Sequence, residues 1–421
     1  MSLNNNSIRT LIGSVGVVML VLTVMSVSVM HREFFTSATK PEQLLDSLNI
    51  RKEYTIKTDG LTRNEGAKPT PVTHVGFLKV HKAASTTTQA IFLRFGWRRN
   101  LTFVLPFEYN NCGYPNVIST NESVTKYNTI MAGNGTQFDI LCHHVLYGDR
   151  EWSSVLHTDS FLVGTVREPF SHFKSILNYF RPLIMRQLKN ESPDPVAKFL
   201  NSPKEFDAKD PRYSLLNNRM AIEYGVDPEI VKSRDVRKFN EYLHNVLDRK
   251  FSVVIPAKRF DEGLILMKRR LNWALNDIMY AMKNVRGEKE EVAFPVSENL
   301  RELYEEHSLF DYMIYDFFLA KFQRQVEAEG QSFARETEHF KQVRKEVEEF
   351  CHNRSEESRT EIIIPESEFN EKFIMDRSDC KIMHMGEIEF TQEIRKRQYG
   401  SADWTQDKQI EWRRKQNQHT A

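Results

Sequence analysis

The chain has 421 residues and carries 58 Lys and Arg against 57 Asp and Glu, a formal net charge of +1. That length suits one large domain with appendages, and the charge balance argues against the broad basic surface of a nucleic-acid binder. A site for an anionic ligand must therefore be a local concentration of cations.

Residues 1–10 read as a short cytoplasmic tail. Leu11 to Met30 is uncharged and rich in Val, Leu and Met. A helix of that length crosses a hydrocarbon core of about 30 Å, and no Ala-x-Ala cleavage site follows. The segment (residues 11–30) reads as a transmembrane signal anchor with everything beyond it lumenal. A cleaved signal peptide is the alternative. Arg9 precedes the span and His31 and Arg32 follow it, so the positive-inside rule gives little orientation. Residues 31–72 are polar and read as a stem.

A core domain is predicted over residues 73–351. Short apolar runs at Val75–Val80, Thr102–Leu105, Phe138–Cys142, Phe161–Val166 and Phe251–Pro256 read as strands buried on both faces. Helical patterns follow at Thr86–Phe95, Phe170–Phe180 and Asp261–Lys283. This alternation predicts an α/β fold with a doubly wound, mostly parallel sheet, and ligands beyond the carboxyl ends of its strands. Pro182 to Arg212 holds five prolines, so its helices should be short and broken, as in an acceptor-binding insertion. Glu302–Glu329 and Phe333–Cys351 read as helices. Residues 352–421 are expected as a carboxyl-terminal extension, in which Glu387–Ala421 is either docked or loose.

The first candidate site follows the first strand. Lys79-Val-His81-Lys82-Ala83-Ala84-Ser85-Thr86-Thr87 ends an apolar run and opens an amphipathic helix. A strand that turns into a helix offers free N–H groups and a positive dipole end to a phosphate. Lys82 adds a charge, and Ser85, Thr86 and Thr87 add hydroxyl donors. The spacing is not that of a nucleotide-kinase loop, in which Lys directly precedes the magnesium-holding Ser or Thr. Taken alone, the segment reads equally well as a strand, turn and helix with a Ser/Thr cap.

The second site repeats that logic. Phe161-Leu-Val-Gly-Thr-Val-Arg167-Glu-Pro169 ends a strand in an arginine, Pro169 sits at a helix start, and Ser175 follows within that helix. A guanidinium fork and a serine hydroxyl suit one phosphate. The alternative pairs Arg167 with Glu168 or another acid. Together the two sites predict a ligand with phosphates at both ends of an adenosine.

Five Asn-x-Ser/Thr triplets (Asn100, Asn121, Asn134, Asn190, Asn353) and four cysteines suit an oxidising lumen. Sequence proximity suggests Cys112–Cys142 and Cys351–Cys380 as disulfides. No Cys-x-x-Cys or His-rich zinc spacing is present, and no metal is predicted.

These motifs resemble those of the Golgi sulfotransferases that use 3′-phosphoadenosine 5′-phosphosulfate, and more narrowly the galactose 3-O-sulfotransferase family. The likeness extends through Phe92-Leu-Arg-Phe-Gly96, Cys142-His-His144, Phe260-Asp-Glu-Gly-Leu-Ile-Leu-Met-Lys268 and Val326-Glu-Ala-Glu-Gly330. Ala83-Ala84 departs from it, since many relatives have a glycine there. The resemblance implies sulfuryl transfer to the 3-hydroxyl of a galactose on a glycolipid such as galactosylceramide, or on a glycan. It implies a single-pass type II protein of the Golgi membrane. Lys82, with His81 beside it, would bind the phosphosulfate and stabilise the leaving phosphate. Ala83, Ala84, Ser85, Thr86 and Thr87 would complete the 5′ cradle, and Arg167 and Ser175 would hold the 3′-phosphate. Histidine suits the base for the acceptor hydroxyl. His143 and His144 end one strand and alternate in direction, so only one should act, and the resemblance points to His144. A carboxylate such as Glu108 or Asp149 is the other candidate. Competing readings are a lumenal nucleotide-dependent phosphotransferase and a non-catalytic glycan binder. Oligomeric state is not legible.

Overall fold

The computed structural model describes residues 70–107, 114–130, 137–180, 183–184, 194–281, 296–353, 360–405 and 407–411. These lie within one compact unit, Pro69–Ala421. The expected membrane span, most of the stem, Glu108, Cys112 and the sequons at Asn134 and Asn190 lie outside the described residues. Among those described, no helix is long and apolar enough to cross a membrane.

The chain has an α/β fold. Among the described residues its central sheet has four parallel strands: β1 (Val75–Leu78), β4 (Ile140–Leu141), β5 (Phe161–Val166) and β6 (Phe251–Pro256). Their order is β4-β1-β5-β6, with Val75 opposite both Ile140 and Phe161. Alternation of side chains sends Val75, Phe77, Val163 and Val253 to one face and Leu78, Leu162 and Val254 to the other. The first face is covered by helices α1 (Ser85–Arg98), α5 (Phe260–Leu271) and α7 (Ser332–His352). Phe310, Ile314 and Phe318 of α6 (Leu309–Ala328) cover the second, with Met220 and Ala221 of α4 (Arg219–Glu223). Because β4 and β5 flank β1, the winding reverses beside β1. The crevice beyond the carboxyl ends of β1 and β5 is then the place where a ligand fits.

Three expected strands and two expected helices differ from the structure for local reasons. Phe138–Cys142 is strand only at Ile140–Leu141, because the Phe138 N–H donates to the Val155 carbonyl at 2.8 Å, outside the sheet. Val75–Val80 ends at Leu78, because the following loop turns away. In Thr102–Leu105 only Phe103 bridges β4, because the Asp139 carboxylate accepts the Thr102 N–H at 2.7 Å. Leu105–Pro106 (β2) instead pairs antiparallel with Thr129–Ile130 (β3) in a separate ribbon. The helix expected to run to Lys283 stops at Leu271, where Asn272 adopts a left-handed conformation (φ 52°). The Trp273 indole then bonds the Val72 carbonyl. Glu302–Glu329 breaks at Ser308, whose hydroxyl donates to the Leu216 carbonyl and accepts from Asn218 N–H.

The described part of the carboxyl-terminal segment, residues 360–405, is docked. Strands β7 (Glu361–Ile364) and β8 (Phe373–Asp376) form a hairpin. Helix α8 (Arg377–His384) follows, and α9 (Glu387–Tyr399) packs on α1. The Cys351–Cys380 disulfide joins α7 to α8, as proximity suggested. The other suggested pairing is corrected: Cys142 is a buried free thiol. Burial pushes that thiol well above the ordinary cysteine range.

Candidate active site

The loop after β1 is the centre of the site. Lys82 (φ 56°) and Ala84 (φ 60°) both adopt left-handed backbone, a conformation costing a side-chain-bearing residue about 1–2 kcal/mol. The two left-handed turns reverse the chain tightly into α1, which begins at Ser85. Ala84 occupies the cap position, and its side chain offers no acceptor to the first-turn N–H groups. Ala84→Gly removes a methyl from a strained turn. It is expected to raise stability by up to about 1 kcal/mol, read from the urea midpoint.

Four side chains from outside the loop hold it. His144 Nδ1 lies 2.8 Å from the Lys79 carbonyl and His172 Nε2 2.6 Å from that of His81. Arg167 Nη1 donates to the Lys82 carbonyl at 2.9 Å, and the His81 N–H donates to Glu223 Oε2 at 2.9 Å. Facing a carbonyl, each of these imidazole nitrogens must carry a proton. His144 therefore keeps Nε2 as its lone-pair nitrogen.

His81 and His144 stack with ring centroids 3.8 Å apart. Glu223, on α4, also bonds His81 Nδ1 and is itself paired with buried Arg219 at 2.8 Å. Burial alone would raise the Glu223 carboxyl. Arg219 and His81 overcome that and hold it at about 2. His144 is shifted well below the ordinary histidine value by burial first, then by the charges of His81 and Lys79. Its lone pair is thus available at neutral and mildly acidic pH. His81, His144 and Glu223 also present ligand atoms within 4.8 Å of one another, a donor set that suits a cation as well as a proton.

The expected residues come together with some reassignment. The Lys82 ammonium rests 3.9 Å from the ring centre of Tyr179, at the far end of α3 (Pro169–Tyr179). Arg167 binds Ser171 through Nε and Nη2 at 3.1 and 2.9 Å, with Ser175 one turn further along α3. Glu168 caps α3 by accepting from the Phe170 and Ser171 N–H groups and pairs with Arg301 at 2.7 Å. It does not serve as the partner of Arg167. Ser85 and Thr87 are buried in the first turn of α1, and Thr86 hydrogen-bonds Glu387.

His143 points away, as alternation required. Its Nε2 lies 3.1 Å from Thr391 Oγ1, and burial lowers it to about 3. Asp149, the carboxylate alternative, is engaged by Lys250 at 2.7 Å and by the Tyr147 hydroxyl. Sequence reasoning missed Glu223, Arg219 and Tyr179 as parts of this corner, and it missed the support below. There the buried Lys79 ammonium donates to Gln89 at 2.6 Å and to Glu387 at 2.7 Å, fixing α9 beneath the loop. Ser171 and His172 were legible in principle, since both fall within the Arg167–Ser175 motif.

The chain is 29% identical over 286 residues to galactosylceramide sulfotransferase of Mus musculus, covering 67% of this chain and 64% of that protein. It is 29% identical over 298 residues to galactose-3-O-sulfotransferase 3 of Homo sapiens, covering 69% and 65% respectively. Galactose-3-O-sulfotransferase 2 of Homo sapiens is 28% identical over 298 residues, covering 68% and 69%. The chain thus spans less than two thirds of the length of the first two of these relatives. The family model for galactose-3-O-sulfotransferase matches residues 5–370, which takes in the loop, the Arg167 corner and Glu223, and the chain belongs to that family.

Proposed function

We propose that this chain transfers a sulfuryl group from 3′-phosphoadenosine 5′-phosphosulfate to the 3-hydroxyl of a galactose residue on a glycolipid or glycan. The observation that carries the reading is one corner holding three things: an uncapped helix N-terminus, the Lys82 ammonium and the unprotonated Nε2 of His144. In this scheme the strand–loop–helix at residues 82–87 cradles the 5′-phosphosulfate, as a phosphate-binding loop does. The acceptor oxygen attacks sulfur and the bond from sulfur to the 5′-phosphate oxygen breaks. The hydroxyl proton passes to His144 Nε2, and Lys82 neutralises charge on the departing phosphate. Glu223 and Arg219 fix His81, and the stacked His81 ring fixes His144. Arg167 supports the loop through the Lys82 carbonyl and, with Ser175, takes the 3′-phosphate.

In the same proposal the uncharged segment Leu11–Met30 anchors the chain in the Golgi membrane with the fold in the lumen. The Cys351–Cys380 disulfide supports an oxidising compartment.

The test uses the purified full chain, labelled phosphosulfate donor and a panel of galactose-terminated lipids and glycans. Lys82→Ala is expected to lower kcat by about 10²–10³ and to weaken adenosine 3′,5′-bisphosphate binding, read by calorimetry. Wild-type turnover in Lys82→Ala would remove the loop from the mechanism. Transfer from ATP instead of the phosphosulfate would replace the reading with phosphotransfer.

A further inference from the structure

The opposite edge of the sheet carries a second histidine cluster that the proposed reaction does not use. His74 immediately precedes β1, Asp139 precedes β4, and His157 and Asp159 lie just before β5. These strands are neighbours, so their amino ends meet at one place. The backbone pins them together: Val75 N–H donates to the Asp139 carbonyl at 2.8 Å and Phe161 N–H to the His74 carbonyl at 2.9 Å.

The side chains converge. His74 Nε2 and His157 Nε2 lie 3.5 and 3.6 Å from the same atom, Asp139 Oδ1. Those distances exceed the 2.7–3.2 Å range of a nitrogen–oxygen hydrogen bond. They sit close to the separation of about 3.3–3.4 Å between ligand atoms around a tetrahedral ion with bonds of about 2.0–2.1 Å. The outer contacts have the matching pattern. Asp139 Oδ2, the other oxygen, accepts from Thr102 N–H at 2.7 Å and Thr102 Oγ1 at 2.8 Å, which orients the carboxylate. His74 Nδ1 lies 2.8 Å from Asp159 Oδ1, an arrangement that places the proton on Nδ1 and leaves Nε2 free to ligate. The group whose ligand atoms all lie within 4.8 Å of one another is His74, His157 and Asp159, so Asp159 is a second carboxylate within reach of an ion.

We propose that His74, His157 and Asp139 form a binding site for a first-row divalent metal ion, stapling the amino ends of β4, β1 and β5. Two imidazoles and a carboxylate are the donor types that zinc and its neighbours take, with solvent completing the shell. The two rings stack 3.9 Å apart at 12°, and an ion must lie in the plane of each, so binding opens the stack. Both rings are partly exposed, at 27% and 33%, and have room to splay.

The probe is zinc alone, titrated into the full chain in detergent, with the thermal midpoint and calorimetry as readouts. Cobalt substitution supplies a visible absorption band. Expected are one high-affinity zinc per chain, a midpoint that rises with free zinc, and at least about tenfold weaker binding in His157→Ala and Asp139→Asn. Asp159→Asn is expected to give an intermediate loss. His144→Ala is the control for the three-residue cluster beside the Lys82 loop, and leaves the zinc affinity unchanged. Zinc binding that survives His157→Ala but disappears in His144→Ala would overturn the proposal. So would a wild-type chain that takes up no stoichiometric zinc.

Discussion

His144→Ala is expected to lower kcat by about 10²–10⁴ while donor affinity stays within a few-fold. The argument rests on which nitrogen is free. Nδ1 is committed to the Lys79 carbonyl at 2.8 Å, so Nε2 carries the lone pair. Burial, then the charges of His81 and Lys79, disfavours the imidazolium, so the ring remains a base where an ordinary histidine would be half protonated. The sign follows directly. A depressed value means the base is lost only as pH falls through that lower value, so the acid limb of kcat should lie below the ordinary 6.5. His144→Asn separates the roles. Its amide can donate to the Lys79 carbonyl and keep the loop in place, but it has no basic nitrogen, so it should lose as much rate as alanine. Single-turnover rates with labelled donor, alongside calorimetry with adenosine 3′,5′-bisphosphate, read both quantities. Turnover near wild type in both variants would move the base to His81, which Glu223 already orients.

The second large effect is on stability. Glu387→Ala is expected to destabilise the fold by about 3–5 kcal/mol, because it strands a fully buried ammonium. Lys79 has a side-chain exposure of 0% and has Glu387 and Gln89 as its acceptors. Glu387 in turn takes Asn116 Nδ2 at 3.0 Å. Burial opposes its charge, and Lys79 prevails and keeps the carboxyl below its usual range. Replacing both partners, Lys79→Met with Glu387→Leu, should recover most of the loss, since two apolar groups leave no uncompensated charge. Urea midpoints at constant m measure the cycle. A Glu387→Ala chain as stable as wild type would mean that water reaches Lys79.

The parts legible in the sequence share a property: they are encoded within a few consecutive residues. Phe161–Val166 and Phe251–Pro256 are strands with the expected bounds because each is a short, mostly apolar run. The loop at Lys82 and the corner at Arg167 could be read because each strand end and helix start are adjacent in the chain. Glu223 could not, since a single glutamate in a five-residue helix has no periodicity to mark it, and only the fold brings it to His81. The same holds for His74, Asp139 and His157, whose spacing matches no local metal motif. Thr102–Leu105 looked like a strand by composition, but the Asp139 carboxylate competed for its backbone. The polar character of Glu387–Tyr399 concealed its docking, which depends on Phe390, Ile394 and one buried ion pair.

The Lys79–Glu387 bond also bears on biosynthesis. Its partners are 308 positions apart. At roughly 5–20 residues per second, a ribosome needs about 15–60 s to deliver the glutamate after the lysine has emerged. During that interval the nascent Lys82 corner holds a cation, Lys79, with no permanent counter-charge. A transcript truncated before codon 387 would therefore yield a chain that contains every motif of the active corner but cannot bury its foundation.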